Sequence, residues 1–197
     1  MNQQNDAAIT LYDLKTLSVF KIAYFSVLGV NIAIALLSLV AYGAGWFSTL
    51  MGIELSWGEL IAGVVGNLVV GPALSAVYLI LGCWVWKKIQ PNATDVGIEF
   101  TSSDRMFHTL TPDTIYRVLT FCAKGFVVVF GVLLGLFLLV GLLFSGSDGL
   151  AKTLGYAFLS AVVLTFVPYI WAYIYMLGSY VTKGITKAFG WGHIETR

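Results

Sequence analysis

The hydrophobic pattern along the 197-residue chain is neither the two-residue alternation of a half-buried strand nor the 3.6-residue stripe of a helix with one wet face. It consists of four long apolar runs that carry no charge: between Lys21 and Glu54, between Glu59 and Lys87, between Lys124 and Asp148, and between Lys152 and Lys183. Each exceeds the roughly 20 residues that cross a bilayer's hydrocarbon core as a helix. Buried helices of a water-soluble domain would need polar faces that these runs lack. The first run is also longer than the roughly 7–15 apolar residues of a cleaved signal, so a retained anchor is expected. The expected fold is all-α and integral to a membrane, with four transmembrane helices. An amphipathic segment over 1–21 precedes a transmembrane hairpin over 22–89, a loop over 90–111, a second hairpin over 112–185 and a tail over 186–197.

Shorter patterns describe the segments outside the spans. Asp6 is placed to cap a helix through Ile9, Leu11, Leu14, Leu17 and Phe20. In the middle loop, residues 95–100 alternate apolar and non-apolar positions, and after the turn-rich 101–104 stretch Met106 to Leu110 alternates again, which predicts a short β-hairpin. Two strands alone are marginal in water, so Val96, Ile98 and Phe100 are expected to face a packed surface, the candidate contact for a partner. Thr111-Pro112-Asp113 reads as a helix start, with Asp113 and Arg117 one turn apart.

The two halves resemble each other. At an offset of 96, Pro72 falls on Pro168, Gly82 on Gly178, Lys87 on Lys183 and Ile89 on Ile185; at 102, Val27-Leu28-Gly29-Val30 falls on Val129-Phe130-Gly131-Val132. The expectation is two tandem helical hairpins of the same sense in the membrane, from an internal duplication with a six-residue difference in an outer loop. The small residues Gly29 and Ala33, and Gly131 and Gly135, stand four apart and predict faces for close helix packing within a protomer or between copies. Pro72 and Pro168 each remove a backbone donor inside a span, so kinks are expected there.

Composition sharpens this picture. The chain is 58% hydrophobic and 11% charged, against about 25% charged in soluble domains. The net charge of +1, without a basic patch, argues against direct nucleic-acid binding. Ten of the eleven basic residues fall in the N-terminal segment, the middle loop and the tail, so both termini and that loop are expected in the cytoplasm, with a bacterial inner membrane as the setting. There Cys83 and Cys122 would stay reduced, and Asn92-Ala93-Thr94 would be a chance match to a glycosylation sequon. Trp46, Trp57, Trp84 and Trp86 mark the two interfaces.

Chemistry is sparse. No Asp, Glu, Lys, Arg or His lies inside a span, and no nucleophile, nucleotide-loop or metal-ligand pattern appears, so neither a catalytic set, a cofactor nor a metal is expected. Asn31 and Asn67 are the most polar intramembrane groups; each is expected to fasten two helices, or else to line a pore or meet a headgroup. The aromatics Tyr169, Trp171, Tyr173, Tyr175 and Tyr180 of span four are expected mostly to pack and to anchor at the interface, with a lipid-binding face as the alternative. These readings favour a non-enzymatic, homo-oligomeric membrane subunit, in contact with membrane lipid, that relays a membrane event to a cytoplasmic protein, as the sensor half of a bacterial sensor–effector pair would. A pore or channel, and a lipid-handling or scaffolding protein, are the alternatives.

Overall fold

A computed structural model describes residues 9–52, 54–91, 96–144 and 147–196. Asp6, the Asn92-Ala93-Thr94 sequon and Asp95 lie outside them. The described chain is built of helices: α1 (Thr16–Gly43), the short α2 (Trp46–Met51), α3 (Trp57–Ile89), α4 (Pro112–Phe144) and α5 (Ser147–Phe189). Four of these are long and apolar enough to cross a membrane.

Local chemistry sets their ends. Gly45 and Gly52 bracket α2 at φ of 70° and 64°, a left-handed conformation that only glycine adopts freely. Ser56 begins α3 with a reciprocal cap: its hydroxyl accepts from the Glu59 amide, and the Glu59 carboxylate accepts from the Ser56 amide at 2.8 Å. Lys87 and Lys88 sit in the last turn of α3, where the helix dipole favours cations. As the sequence predicts, α4 starts at Pro112, with the Thr111 hydroxyl accepting from the Thr114 amide and Asp113 paired to Arg117. Gly190, at φ of 66°, ends α5, and Gly192 turns the tail back toward the bundle.

Each of the four long helices has two main neighbours: α1 and α4 both pack on α3 and α5, and α1 and α4 stand diagonally opposed. Burial is concentrated at one end. Leu11, Leu14, Ile22, Phe107, Leu110, Ile115, Leu119 and Ile194 are almost wholly buried there. In the other half, among the described side chains, only Ala35 of α1 beyond Val30 and Leu60 of α3 before Pro72 are buried, and none of α4 beyond Gly125 or of α5 before Pro168. Phe137 and Phe158 are 74% and 75% exposed. The bundle is therefore closely packed at one end, called here the capped end, and loose at the far end.

The cap is woven from three segments distant in sequence: 9–14, 96–110 and 191–196. Isolated antiparallel bridges pair Thr10 with Gly97, Leu14 with Thr196, Phe100 with Leu110 and Met106 with His193. No strand forms among the described residues, and the expected hairpin is reduced to the Phe100 to Leu110 bridge and the Thr101 amide on the Thr109 carbonyl at 2.7 Å. The physical reason is competition, because the rest of that segment bonds to the two terminal segments instead. The helix expected from Ile9 through Phe20 forms only from Thr16 onward, as the start of α1; before it stands a single 3-10 turn at Leu11–Asp13, since the Leu11 amide donates to Val96 and the Ile9 carbonyl accepts from Ile98.

The cap repeats itself at one spacing. Thr10 with Gly97 and Met106 with His193 differ by 96 at both partners, as do Leu14 with Thr196 and Leu110 with Phe100. The amide of Leu11 bonds Val96 and that of Phe107 bonds Gly192; the amide of Lys15 bonds Glu195 and that of Thr111 bonds Glu99. The 3-10 turns Leu11–Asp13 and Phe107–Thr109, and the first residues of α1 and α4, obey the same spacing. The starts of α1 and α4 are thus 96 residues apart, whereas the sequence alignment of spans one and three has an offset of 102.

Candidate functional site

Most side-chain hydrogen bonds between segments distant in sequence gather at the capped end, which makes it the candidate site. Lys15 donates to Glu195 at 2.8 Å, Lys21 donates to the His193 carbonyl at 2.8 Å, and the Ser18 hydroxyl both donates to the Glu195 carbonyl and accepts its amide. These contacts tie the first turn and a half of α1 to the tail. In the matching position the Thr114 hydroxyl of α4 accepts from the Glu99 amide of the loop at 3.1 Å. From the helices that end here, Lys87 of α3 donates to the Leu11 carbonyl at 3.1 Å and Lys183 of α5 donates to that of Leu110. Every long helix is thus fastened to a cap segment by a charged or hydroxyl side chain. Glu195 is held below the usual carboxylate range, first by the hydrogen bond from Lys15 and then by that ammonium's charge. Asp13 is lowered as well, chiefly by the Thr10 amide it accepts.

The sequence-expected residues divide. Val96 and Ile98 are buried in the chain's own core, with Phe100 packed against it, so the apolar face expected to meet a partner is already covered by this chain. What the loop presents outward is Glu99 and the stretch Thr101 to Arg105. Asn31 and Asn67 do come together, the Asn31 amide donating to the Asn67 backbone carbonyl at 2.6 Å and fastening α1 to α3 close to Gly71 and Pro72. Pro72 and Pro168 are both buried within continuous helices.

The glycines also divide. A Cβ on Gly29 would lie 1.8 Å from the Gly178 carbonyl oxygen, and one on Gly125 would lie 1.8 Å from that of Gly82. These two backbone-to-backbone approaches join α1 to α5 and α3 to α4. Ala33 is exposed, Gly131 would meet only Leu164 at 3.9 Å, and Gly135 faces open space within the protomer. Gly125 and the pairings themselves escaped the sequence reading. The signal was there, because 29 and 125, like 82 and 178, are 96 apart.

Cys83 and Cys122 are buried and free beside the Gly82 to Gly125 contact. Among the described residues, no three His, Cys, Asp or Glu side chains converge as metal ligands. No protein-family model matches the chain, and no curated protein or solved structure matches it either.

Proposed function

We propose that this chain is a non-enzymatic membrane subunit whose capped end lies in the cytoplasm and relays changes in helix packing to a cytoplasmic protein, as the sensor half of a bacterial sensor–effector pair would. The observation that carries this reading is the woven cap. Its three segments bond to one another and to all four long helices, so a shift of one helix pair against the other must be felt at the exposed loop from Glu99 to Arg105. The basic residues at this end support a cytoplasmic placement. We also read the chain as a tandem duplication of a helical hairpin, a reading supported by the single spacing of 96 in the cap and in the glycine contacts. Gly131 and Gly135, unused within the protomer, favour contact with another copy. A pore through the protomer is disfavoured by the buried side chains that fill the capped end.

The test is a photo-crosslinking residue at Ser102, with Ser48 in α2 as the control. A discrete protein adduct should form in cells from Ser102 and not from Ser48, and Asp104→Lys should suppress it while insertion is unchanged. No adduct from Ser102, or the same adduct from both sites, would remove the partner from the mechanism.

A further inference from the structure

Two adjoining cavities open beside α4 at the capped end. One, of about 220 Å³, gathers the polar side chains Gln90, Arg117, Thr120 and Lys124 against an otherwise largely apolar wall that includes Trp86, Val96 and Phe121. The other, of about 350 Å³, shares Lys124 and Trp86 and continues away from the cap along Val127, Val128, Leu164 and Pro168. Residues 117, 120 and 124 are spaced to share one face of a helix.

Three observations indicate that the first cavity is suited to an anion. Thr120 is only 7% exposed, yet its hydroxyl has no hydrogen-bond partner among the described residues. Leaving a buried hydroxyl unsatisfied is costly, so it is expected to serve a ligand. Lys124 has no carboxylate partner among the described residues; its ammonium stands 5.2 Å from the Tyr169 ring centroid, at the junction of the two cavities. Arg117 bonds Asp113 through one terminal nitrogen, which leaves guanidinium donors for a further acceptor.

The counterpart face, 96 residues earlier, lacks this arrangement. Lys21 stands where Arg117 does and is taken by the His193 carbonyl and Glu195; Tyr24 replaces Thr120 and stacks on Phe20; Leu28 replaces Lys124. The site therefore does not follow from the repeat. It is specific to the second half.

We propose that this groove binds one anionic phospholipid from the leaflet at the capped end. Its phosphate accepts from Arg117, Lys124 and the Thr120 hydroxyl, and one acyl chain lies along Val127, Val128 and Leu164. A basic cavity between membrane helices, continued by an apolar groove, matches such a lipid in both charge and shape. This assignment needs the chain to span a membrane and does not depend on the relay.

The chemistry recognised is a phosphate ester, which a soluble phosphate could also supply, so the experiment separates the two. Purified full-length protein in neutral detergent is titrated with phosphatidylglycerol, with phosphatidylcholine, and with glycerol 3-phosphate, and bound lipid and thermal stability are read by native mass spectrometry and melting. Phosphatidylglycerol should be retained in a one-to-one complex and raise the Tm, phosphatidylcholine and glycerol 3-phosphate should do neither, and Lys124→Gln should weaken retention about fivefold. Thr120→Val should weaken it too, whereas Thr120→Ser, Lys124→Arg and the counterpart Lys21→Gln should retain it. Should Lys124→Gln fail to fold, the near-isosteric Thr120→Val against Thr120→Ser makes the same comparison. Equal retention of the two lipids, equal retention by wild type and Thr120→Val, or stabilisation by glycerol 3-phosphate as large as by the lipid would overturn the assignment.

Discussion

At the scale of single residues, four glycines decide how the spans meet. Gly29 against Gly178 and Gly82 against Gly125 bring backbone onto backbone, and a Cβ on Gly82 would lie 2.1 Å from the Cys122 carbonyl oxygen. Backbone cannot rotate away as a side chain can, so any added methyl must push whole helices apart. Gly82→Ala or Gly178→Ala should therefore destabilise the protein by about 1–3 kcal/mol, the usual range for overpacking, as read by thermal unfolding in detergent. Gly135→Ala, with open space before it, should leave the protomer's melting unchanged. Equal effects at Gly82 and Gly135 would contradict the packing described here. The sequence marked Gly29, Gly82 and Gly178 as repeated positions, yet their partners were invisible in it, because a spacing along one helix does not say which neighbouring helix the face meets.

Among the elements, the tail shows how polar groups hold a cap that has no strands. The Glu195 carboxylate accepts from Lys15 and stands 3.9 Å from Lys21, while its backbone carbonyl accepts from the Lys15 amide and the Ser18 hydroxyl and its amide donates to that hydroxyl. Its folded-state carboxyl is depressed below the ordinary glutamate value, so its contribution is fully present above that value, about 4.3, and is lost as the pH falls through the depressed folded one. Acidification below about pH 4.3 should therefore raise hydrogen exchange at the Lys15 and Glu195 amides before it does so at the Gly82 to Gly125 contact. Glu195→Gln should remove this pH dependence, while Glu99→Gln, at the corresponding position but with no ion pair among the described residues, should not. Lys15 and Lys21 were legible in sequence only as cytoplasmic markers; their pairing with the tail needed the fold.

For the molecule as a whole, the contrast between a packed end and a loose end is what any function must use. Large apolar side chains such as Phe137 and Phe158 cover the far half, where lipid or another copy can meet them. Because Gly131 and Gly135 take little or no part in protomer packing, their replacement separates assembly from folding. Gly131→Leu with Gly135→Leu should dissociate an oligomer seen by native mass spectrometry, with the protomer's helix content retained; a wild type that is monomeric throughout would end the oligomer proposal. Orientation has its own check. In sealed cells, an impermeant thiol reagent should label Ser48→Cys and leave Ser102→Cys untouched, against a background kept low by the burial of Cys83 and Cys122.

What the sequence by itself determined was the number and position of the long apolar helices and the start of α4 at Pro112. Those follow from local chemistry, since a charge-free run of sufficient length must satisfy its own backbone in lipid as a helix, and Thr-Pro-Asp starts one wherever it stands. The tertiary structure decided where Val96 and Ile98 turn, which glycines touch, and how 9–14, 96–110 and 191–196 share their hydrogen bonds. Each of those outcomes is a competition among partners far apart in the chain. A short alternating segment has backbone donors and acceptors that several edges could satisfy, and only the packed end of the bundle, by bringing all three segments together, selects among them.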